Sequence, residues 1–311
     1  MQGKFQYGGQ AVIEGVMMRG REYMAIAVRR GPEEIVVHKE PVGSLTKRYK
    51  ALKAPFIRGV VALCESFGLG LKALLFSANQ FVETEEQERL TPLETIAIVG
   101  SAVLLTIVLF ILLPLGVRSL INRLTEIPFW LNIGEGLVRA VILVLYILLV
   151  SLIKDMRRVF AYHGAEHKVI HAFEAGEELT VANAQRHTTL HPRCGTSFLL
   201  FVVVISALIF SVLGRQTFLM RVASRILLLP VVAGFSYELI KLAGRKQAFF
   251  LVRWLSAPGL WLQRLTTNPP DDGMVAVAIE ALQAVLREDA SIGKINGAES
   301  SAKSAQPLVV N

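Results

Sequence analysis

Cysteine is scarce in this chain, and its scarcity excludes a small fold held together by disulfides. The sequence contains two cysteines, Cys64 and Cys194. Cys194 lies among histidines in a segment that we place inside the cell. A free thiol or a metal ligand is therefore its expected role.

Charged residues are also few, which argues against an ordinary soluble domain. They make up 19% of the chain, whereas 53% of the residues are hydrophobic, and the mean hydropathy is +0.49. A soluble domain needs more charge to keep its surface hydrated. The excess of apolar residues therefore indicates a protein that sits in a lipid bilayer.

Two further absences narrow the class of protein. Residues 1–20 contain no uninterrupted apolar stretch of the kind that a secretory signal needs. We therefore expect the N-terminus to remain in the protein and to begin in the cytoplasm. The net charge is +8, but no run of aromatic residues interleaved with basic ones accompanies it, so nucleic acid is not an expected partner.

Four apolar stretches predict membrane spans. Residues 95–117 carry no charge and, at about 1.5 Å per helical residue, are long enough to cross about 30 Å of hydrocarbon. The second stretch is 137–153, and Arg139 lies close enough to its outer end for the guanidinium to reach the interface. The third and fourth stretches are 195–214 and 222–242.

Two interpretations remain open for Glu238, which lies within the fourth stretch. It can sit at the interface and pair with Lys241, three residues further along a helix. Alternatively, it faces inward as a polar partner of the histidine cluster described below.

The distribution of basic residues predicts the orientation. The loop between the second and third stretches contains more lysine and arginine than the loop between the first and second, and basic loops are cytoplasmic. The N-terminal region and the segment after the fourth stretch are basic too. We therefore expect an even number of spans, four, with both termini in the cytoplasm.

Residues 55–81 form a fifth apolar stretch that does not fit this scheme. Arg58, Glu65 and Lys72 interrupt it, and we interpret it as an interfacial or re-entrant helix. A true span at this position would invert the topology of the N-terminal region.

The expected fold is mainly α and integral to the membrane: a four-span helical bundle with a small N-terminal antiparallel β meander and a cytoplasmic helical layer. Three runs rich in Val and Ile, 11–18, 23–30 and 34–42, predict the meander. The predicted regions, in chain order, are a cytoplasmic β-rich region at 1–54, an interfacial or re-entrant segment at 55–92, spans one and two in 93–153, a cytoplasmic loop at 154–196, spans three and four in 197–246, cytoplasmic amphipathic helices at 247–288 and a disordered tail at 289–311.

Five of the six histidines lie in the central loop, and several share one face of a predicted helix. At 100° per residue, His163 and His167 lie about 40° apart, His171 lies about 40° beyond His167, and Glu174 falls between the first two. A pair of histidines four residues apart on a helix is a common source of two ligands for Zn²⁺.

A short motif adds a carboxylate and a second pair of ligands. His163-Gly-Ala-Glu166-His167 fits the H-x-x-E-H pattern of inverted zinc metalloproteases, in which the glutamate acts as a base. The same loop ends in His191-Pro-Arg-Cys194, on a turn that Pro192 and Gly195 mark. The predicted metal ligands are therefore His163, His167, His191 and Cys194, with Glu166 as the catalytic base and His171 and Glu174 in reserve.

The sequence leaves the role of this cluster open. Four protein ligands would close a structural zinc site, whereas three ligands would leave a position for catalysis. Alternatively, the histidines are interfacial residues that form hydrogen bonds with backbone or lipid phosphate, and Cys194 is a small apolar residue. Glu166 can likewise be an ordinary acid on a solvated helix face. Gly8 and Gly9 fit a plain hairpin, or they bring the backbone close to a ligand.

The chain resembles the YqhQ-like family of bacterial multi-span membrane proteins. The resemblance rests on Gly8-Gly-Gln-Ala-Val-Ile-Glu-Gly-Val-Met-Met-Arg19, Tyr162-His-Gly-Ala-Glu-His-Lys168, His191-Pro-Arg-Cys-Gly-Thr-Ser197 and Asn268-Pro-Pro-Asp271. The function of this family is unknown, and its members are described as predicted metal-dependent enzymes. The resemblance implies several spans and a metal site, but it brings no substrate.

We expect a zinc-dependent membrane hydrolase that acts at the cytoplasmic face on a membrane-associated substrate. The bilayer and a membrane-associated substrate or protein are the expected partners, and the sequence is compatible with a homo-oligomer. One alternative is an ion transporter or channel, in which the cluster and Glu238 relay an ion. The other is a membrane scaffold whose zinc is structural.

Overall fold

The computed structural model describes residues 7–31, 34–45, 49–82, 91–123, 126–214, 216–243 and 250–304. Most of these residues are helical, and a small antiparallel sheet lies near the N-terminus. This confirms the expectation of a mainly α protein with a small N-terminal β meander.

The sheet has four strands in sequence order, each hydrogen-bonded to the next. The strands are β1 (Gly8–Val12), β2 (Gly15–Arg19), β3 (Tyr23–Arg29) and β4 (Ile35–Pro41). The predicted run 11–18 is therefore wrong as one strand, because it contains a hairpin turn. Glu14 adopts φ 49° in that turn, and its carboxylate pairs with the guanidinium of Arg158.

Eleven α-helices follow among the described residues. They are α1 (Ile57–Val82), α2 (Pro92–Ile107), α3 (Leu113–Ile121), α4 (Pro128–Leu152), α5 (Lys154–Ala175), α6 (Val181–Gln185), α7 (Gly195–Ser211), α8 (Phe218–Leu227), α9 (Leu229–Ala243), α10 (Phe250–Thr266) and α11 (Asp272–Ser304). A short 3₁₀ turn, Lys50–Lys53, precedes α1, and a π-helical turn, Val108–Leu112, joins α2 to α3.

In the described part of the chain, three helices are long and apolar enough to cross a membrane: Ile57–Gln80, Pro92–Arg118 and Pro128–Leu152. The pair α8 and α9 makes a fourth if it counts as one span bent by 42°. The third predicted span is a shorter apolar helix, α7, of 17 residues. Pro230, which has no N–H to donate, lies in the first turn of α9, where the break in the fourth predicted span occurs.

The helix Pro92–Arg118 shows most clearly why lipid is the expected surroundings. Thr91 and Glu94 form a capping box at its start, with Pro92 in the first turn. None of the residues of α2 is buried against protein, although Leu93, Ile96 and Leu104 are all large and apolar. The 16 residues of α2 are mostly apolar and are not buried against protein, which fits an apolar solvent such as lipid.

Both faces of the sheet are covered by helices. Val16 and Met18 of β2 point to one face, where they pack with residues of α5 and α11 such as Tyr162 and Leu282. Met17 points to the opposite face and packs near Ala73 of α1. This alternation is the ordinary side-chain period of a strand. It fixes β1 and β2 between α1 and the helix that carries the histidines.

Asp271 caps the start of the C-terminal helix α11, since its carboxylate accepts a hydrogen bond from the Met274 amide at 2.7 Å. The structure continues this helix to Ser304, past Asp289, where the sequence predicts the start of a disordered tail. The Asp289 carboxylate accepts hydrogen bonds from the amides of Arg21 and Glu22. Residues 305–311 of the predicted tail lie outside the described part of the chain.

Arg139 is buried in α4 and does not reach the interface, so that prediction is wrong. Its guanidinium bonds to Glu135, one helical turn earlier. The same carboxylate accepts hydrogen bonds from Arg118 at 3.0 Å and from Arg225 at 3.1 Å. Three arginines from three helices thus surround one carboxylate.

Glu238 pairs with Arg58, a partner that the sequence analysis does not name. Its two oxygens accept hydrogen bonds from Nε and Nη2 of Arg58 at 2.7 and 2.5 Å. This bidentate ion pair joins α9 to α1 and does not involve the histidine cluster.

Candidate metal centre

Helix α5 presents His163 and His167 on one face with their ring centroids 4.5 Å apart. Nδ1 of His163 lies 2.8 Å from the Thr266 carbonyl oxygen, and Nδ1 of His167 lies 2.5 Å from that of Thr189. A carbonyl oxygen can only accept, so each Nδ1 carries a proton, and in the neutral imidazole each Nε2 then keeps its lone pair. This is the arrangement that metal-binding histidines commonly have.

Cys194 brings sulfur to the same place from the start of α7. Its Sγ lies 3.2 Å from Nε2 of His163 and accepts a hydrogen bond from the Thr196 amide at 3.4 Å. The ligand atoms of His163, His167 and Cys194 all lie within 4.8 Å of one another. Ligands around tetrahedral zinc are about 3.3 to 3.8 Å apart, given zinc–ligand distances of about 2.0 to 2.3 Å. The three side chains therefore fit a zinc ion with small movements.

Glu166 lies beside these ligands and is buried, with 6% of its surface exposed. Its Oε1 accepts a hydrogen bond from the Gly9 amide at 2.9 Å, and its Oε2 lies 3.5 Å from Nε2 of His167. The alternative of an ordinary solvated acid does not fit this burial. Gly9 does bring backbone close to a functional group, because its amide donates to Glu166 and a Cβ at this position would lie 3.1 Å from the Glu166 Cγ.

His191 belongs to a neighbouring group. His171, Glu174 and His191 form a second set whose ligand atoms lie within 4.8 Å of one another. The His191 ring centroid lies 4.7 Å from that of His171 and 5.5 Å from that of His167. The structure thus brings together three of the four predicted ligands and places the fourth beside the two reserve residues.

Charge interactions organise this second group. The imidazole of His191, with Nε2 at 3.6 Å from a Glu174 oxygen, and the Arg193 guanidinium hold the pKa of Glu174 at about 2. Burial lowers the pKa of His171, so its neutral form is favoured. Nε2 of His171 donates to the Leu190 carbonyl oxygen at 2.9 Å.

Two comparisons with known proteins bear on this site. Residues 54–288 match the family described as "Protein of unknown function (DUF1385)". The chain belongs to this DUF1385 family. It is also 37% identical over 300 residues to the uncharacterized protein YqhQ of Bacillus subtilis (strain 168), which covers 91% of this chain and 93% of that protein. The resemblance to a YqhQ-like family is therefore confirmed, and no solved structure matches the chain.

The site of this DUF1385 protein opens into a cavity of about 110 Å³. Glu166, the three grouped ligands, His191 and Arg193 line it on the side of α5 and the loop that leads into α7. Tyr7, Gly8 and Gly9 line it on the side of the sheet. The space exceeds the roughly 30 Å³ that one water takes up in the liquid. The ligands and the carboxylate therefore face a volume that can hold a water and a small reacting group.

Sequence reasoning missed the backbone groups that hold this site together. The carbonyl oxygens of Thr189 and Thr266 orient the two histidines, and Lys168 donates to the carbonyl oxygens of Gln185 and His187 at 2.7 and 2.6 Å. Lys168 thereby anchors the loop that carries Cys194 to α5. Backbone atoms leave no signal in residue types, although Lys168 itself stands inside the conspicuous 162–168 motif.

Proposed function

We propose that this protein is a zinc-dependent hydrolase of the bacterial cell membrane that acts at the cytoplasmic face on a membrane-associated substrate. One observation carries the proposal: two imidazole nitrogens and a thiol converge at a cavity next to a buried carboxylate. A structural zinc site needs neither the cavity nor the carboxylate.

The donor set favours a catalytic site over a closed one. His163, His167 and Cys194 would hold the ion, while the ligand atom of His191, which also lines the cavity, is grouped with those of His171 and Glu174. Three protein ligands leave a position open, as in catalytic zinc sites. Zinc bound there would supply Lewis-acid chemistry that polarises a carbonyl or phosphoryl oxygen.

Glu166 is placed to accept a proton from an attacking water. The Gly9 amide holds Oε1, which leaves Oε2 facing the ligand group and the cavity. The burial of this carboxylate keeps bulk water from competing for it. The hydrogen bond from Gly9 also fixes the orientation of the carboxylate, so little reorganisation is needed in the reaction.

Several features support a position at the cytoplasmic membrane surface. The helix α5 starts at Lys154, directly after α4 ends at Leu152, so the site lies just beyond one end of an apolar helix of span length. The central loop is the basic one, which favours the cytoplasm for it and for both termini. We propose four crossings: Pro92–Arg118, α4, α7 and the bent pair α8–α9.

In this topology α1 lies along the membrane surface and does not cross. Its C-terminal half packs on the sheet, where Ser77 accepts a hydrogen bond from the Ile13 amide and Lys72 pairs with Glu40 at 2.7 Å. A helix bound to a water-facing sheet along half of its length cannot have that half in hydrocarbon. This keeps the sheet and the histidine cluster on the same side.

Metal analysis of the purified full-length protein tests the proposal. We expect about one zinc ion per chain, which the double variant His163→Ala and His167→Ala should lose. The matched control is His38→Ala, since His38 lies on β4 away from the cluster. Absence of stoichiometric metal from the parent protein would contradict the proposal. Metal retained without hydrolysis of any ester or phosphodiester would favour the scaffold alternative.

A further inference from the structure

A second and larger cavity, of about 700 Å³, lies between α1 and the first two strands. We propose that it binds the phosphate-bearing head group of an anionic lipid and thereby selects the substrate of the neighbouring metal centre. The link to a substrate rests on the proposed function, whereas the binding of lipid does not. Cavities of roughly 300 to 1,000 Å³ are of the size that binds small molecules and head groups.

The charge of the walls favours an anion. Four cationic residues, Arg19, Arg21, Lys53 and Arg58, line the cavity together with one carboxylate, Glu65. Glu238, which pairs with Arg58, adds a second carboxylate, and Asp289, which accepts a hydrogen bond from the Arg21 amide, adds a third. Four positive against three negative groups still leave a positive excess.

Guanidinium groups are also the donors that phosphate prefers. Arg19 is held in place by a 2.9 Å ion pair with Glu65 and a 3.3 Å hydrogen bond to Ser66. Arg58 is held by the bidentate pair with Glu238. A guanidinium has five N–H donors in a planar fork, so these contacts leave donors for a phosphate oxygen.

The apolar part of the lining points to an amphiphile. Met17, Ala62, Leu69 and Tyr237 share the walls with the cations. Outside the cavity, α1 continues with exposed apolar side chains, of which Phe67 has 65% of its surface exposed. A soluble phosphate ester would gain nothing from this surface. An acyl chain that leaves the cavity along α1 would bury it and stabilise binding.

The two cavities meet at one segment of backbone. Gly8 and Gly9 line both of them, and the Gly9 amide is the group that holds Glu166. A head group bound between α1 and β1 is therefore separated from the carboxylate by the start of one strand. In this proposal the lipid extends around the start of that strand, so that one of its bonds reaches the metal centre and the lipid is the substrate class of the site.

Lipid binding to the full-length protein tests the proposal, with dioctanoyl phosphatidylglycerol as the probe. We expect the double variant Arg21→Gln and Lys53→Gln to bind it about tenfold more weakly, as loss of charge-assisted contacts implies. Lys39→Gln is the matched control, because Lys39 pairs with Glu288 on the sheet and does not line the cavity. Gly8→Leu should also weaken binding, because Gly8 lines the cavity and a leucine side chain would take up space that the head group needs. The variant should fold, since a Cβ at Gly8 meets nothing within 4 Å.

Two further ligands show whether the charge of the head group and the acyl chains both contribute to the affinity. The metal content of the protein distinguishes the lipid-binding proposal from the hydrolase proposal. Dioctanoyl phosphatidylcholine and glycerol 3-phosphate should both bind weakly. Equal binding of phosphatidylcholine, or of the head group without chains, would overturn the assignment. The binding assay is also run on chelator-treated protein. If that protein still binds the lipid and the parent protein contains no metal, the hydrolase proposal is refuted and the lipid-binding proposal stands.

Discussion

At the scale of single residues, Glu166 distinguishes catalysis from metal binding. Glu166→Gln keeps the shape of the side chain and its hydrogen bond to Gly9, but it removes the basic oxygen. We expect unchanged zinc content and a fall in hydrolysis of about 10² to 10⁴-fold. Chromogenic esters and phosphodiesters report the rate, and Glu280→Gln, an exposed change on α11, is the control. A rate unaffected by the substitution would remove Glu166 from the mechanism.

Cys194 and His191 distinguish the three-ligand set from the four-ligand set. We expect Cys194→Ala to lower zinc affinity strongly, because its sulfur lies with His163 and His167. His191→Ala should retain most of the affinity, because His191 lies with His171 and Glu174. Competition with a chromogenic chelator measures both values. Equal losses would instead support the closed set of His163, His167, His191 and Cys194.

The sequence predicts the composition of this site better than its geometry. His163, Glu166 and His167 lie within two turns of one helix, so their proximity follows from local geometry alone. The position of His191 depends on how the loop 176–194 folds back on α5, which no helical periodicity records. The carbonyl groups that orient the histidines are likewise supplied by remote segments.

At the scale of elements, the contact between α5 and the turn after α10 holds the site in shape. A Cβ at Gly164 would lie less than 3.0 Å from the Asn268 carbonyl oxygen. Gly164→Ala should therefore destabilise the protein by about 1 to 3 kcal/mol, despite the better helix propensity of alanine. Thermal unfolding in detergent measures the change. Gly100→Ala in α2 is the matched control, because a Cβ there meets nothing within 4 Å, and it should not lower the melting temperature.

Sequence patterns predict the elements whose own residues determine their structure, and they miss those that depend on residues distant in the chain. The uncharged stretch 95–117 is a helix of span length because its composition alone requires it. The turn between β1 and β2 carries no Gly or Asn at its positive-φ position. Glu14 adopts that conformation while it pairs with Arg158 and lies 3.3 Å from the Tyr162 hydroxyl, both distant in sequence. Because these distant contacts stabilise the conformation of Glu14, the residues of the turn alone do not predict it.

At the scale of the whole molecule, Glu135 joins three helices through arginine side chains. Glu135→Gln would leave the guanidinium groups of Arg118, Arg139 and Arg225 without their shared carboxylate in a buried setting. We expect a loss of about 3 to 5 kcal/mol, which is typical when one partner of a buried ionic network is removed. The melting temperature in detergent reports it. A double variant with Arg139→Gln should lose less than the sum of the single changes, and strict additivity would show that the groups are not coupled.

The same three arginines bear on how the chain is assembled. Arg118 and Arg139 belong to α3 and α4, but Arg225 belongs to α8, which the ribosome makes only after the whole histidine loop and α7. Before α8 is made, Glu135 can pair with Arg118 and Arg139, which precede α8 in the chain. Arg225 can pair with Glu135 only by docking against helices that are already packed together. The network therefore closes only when α8 has docked. A chain in which α8 has not docked would display an unpaired arginine, a feature that quality-control proteases could recognise.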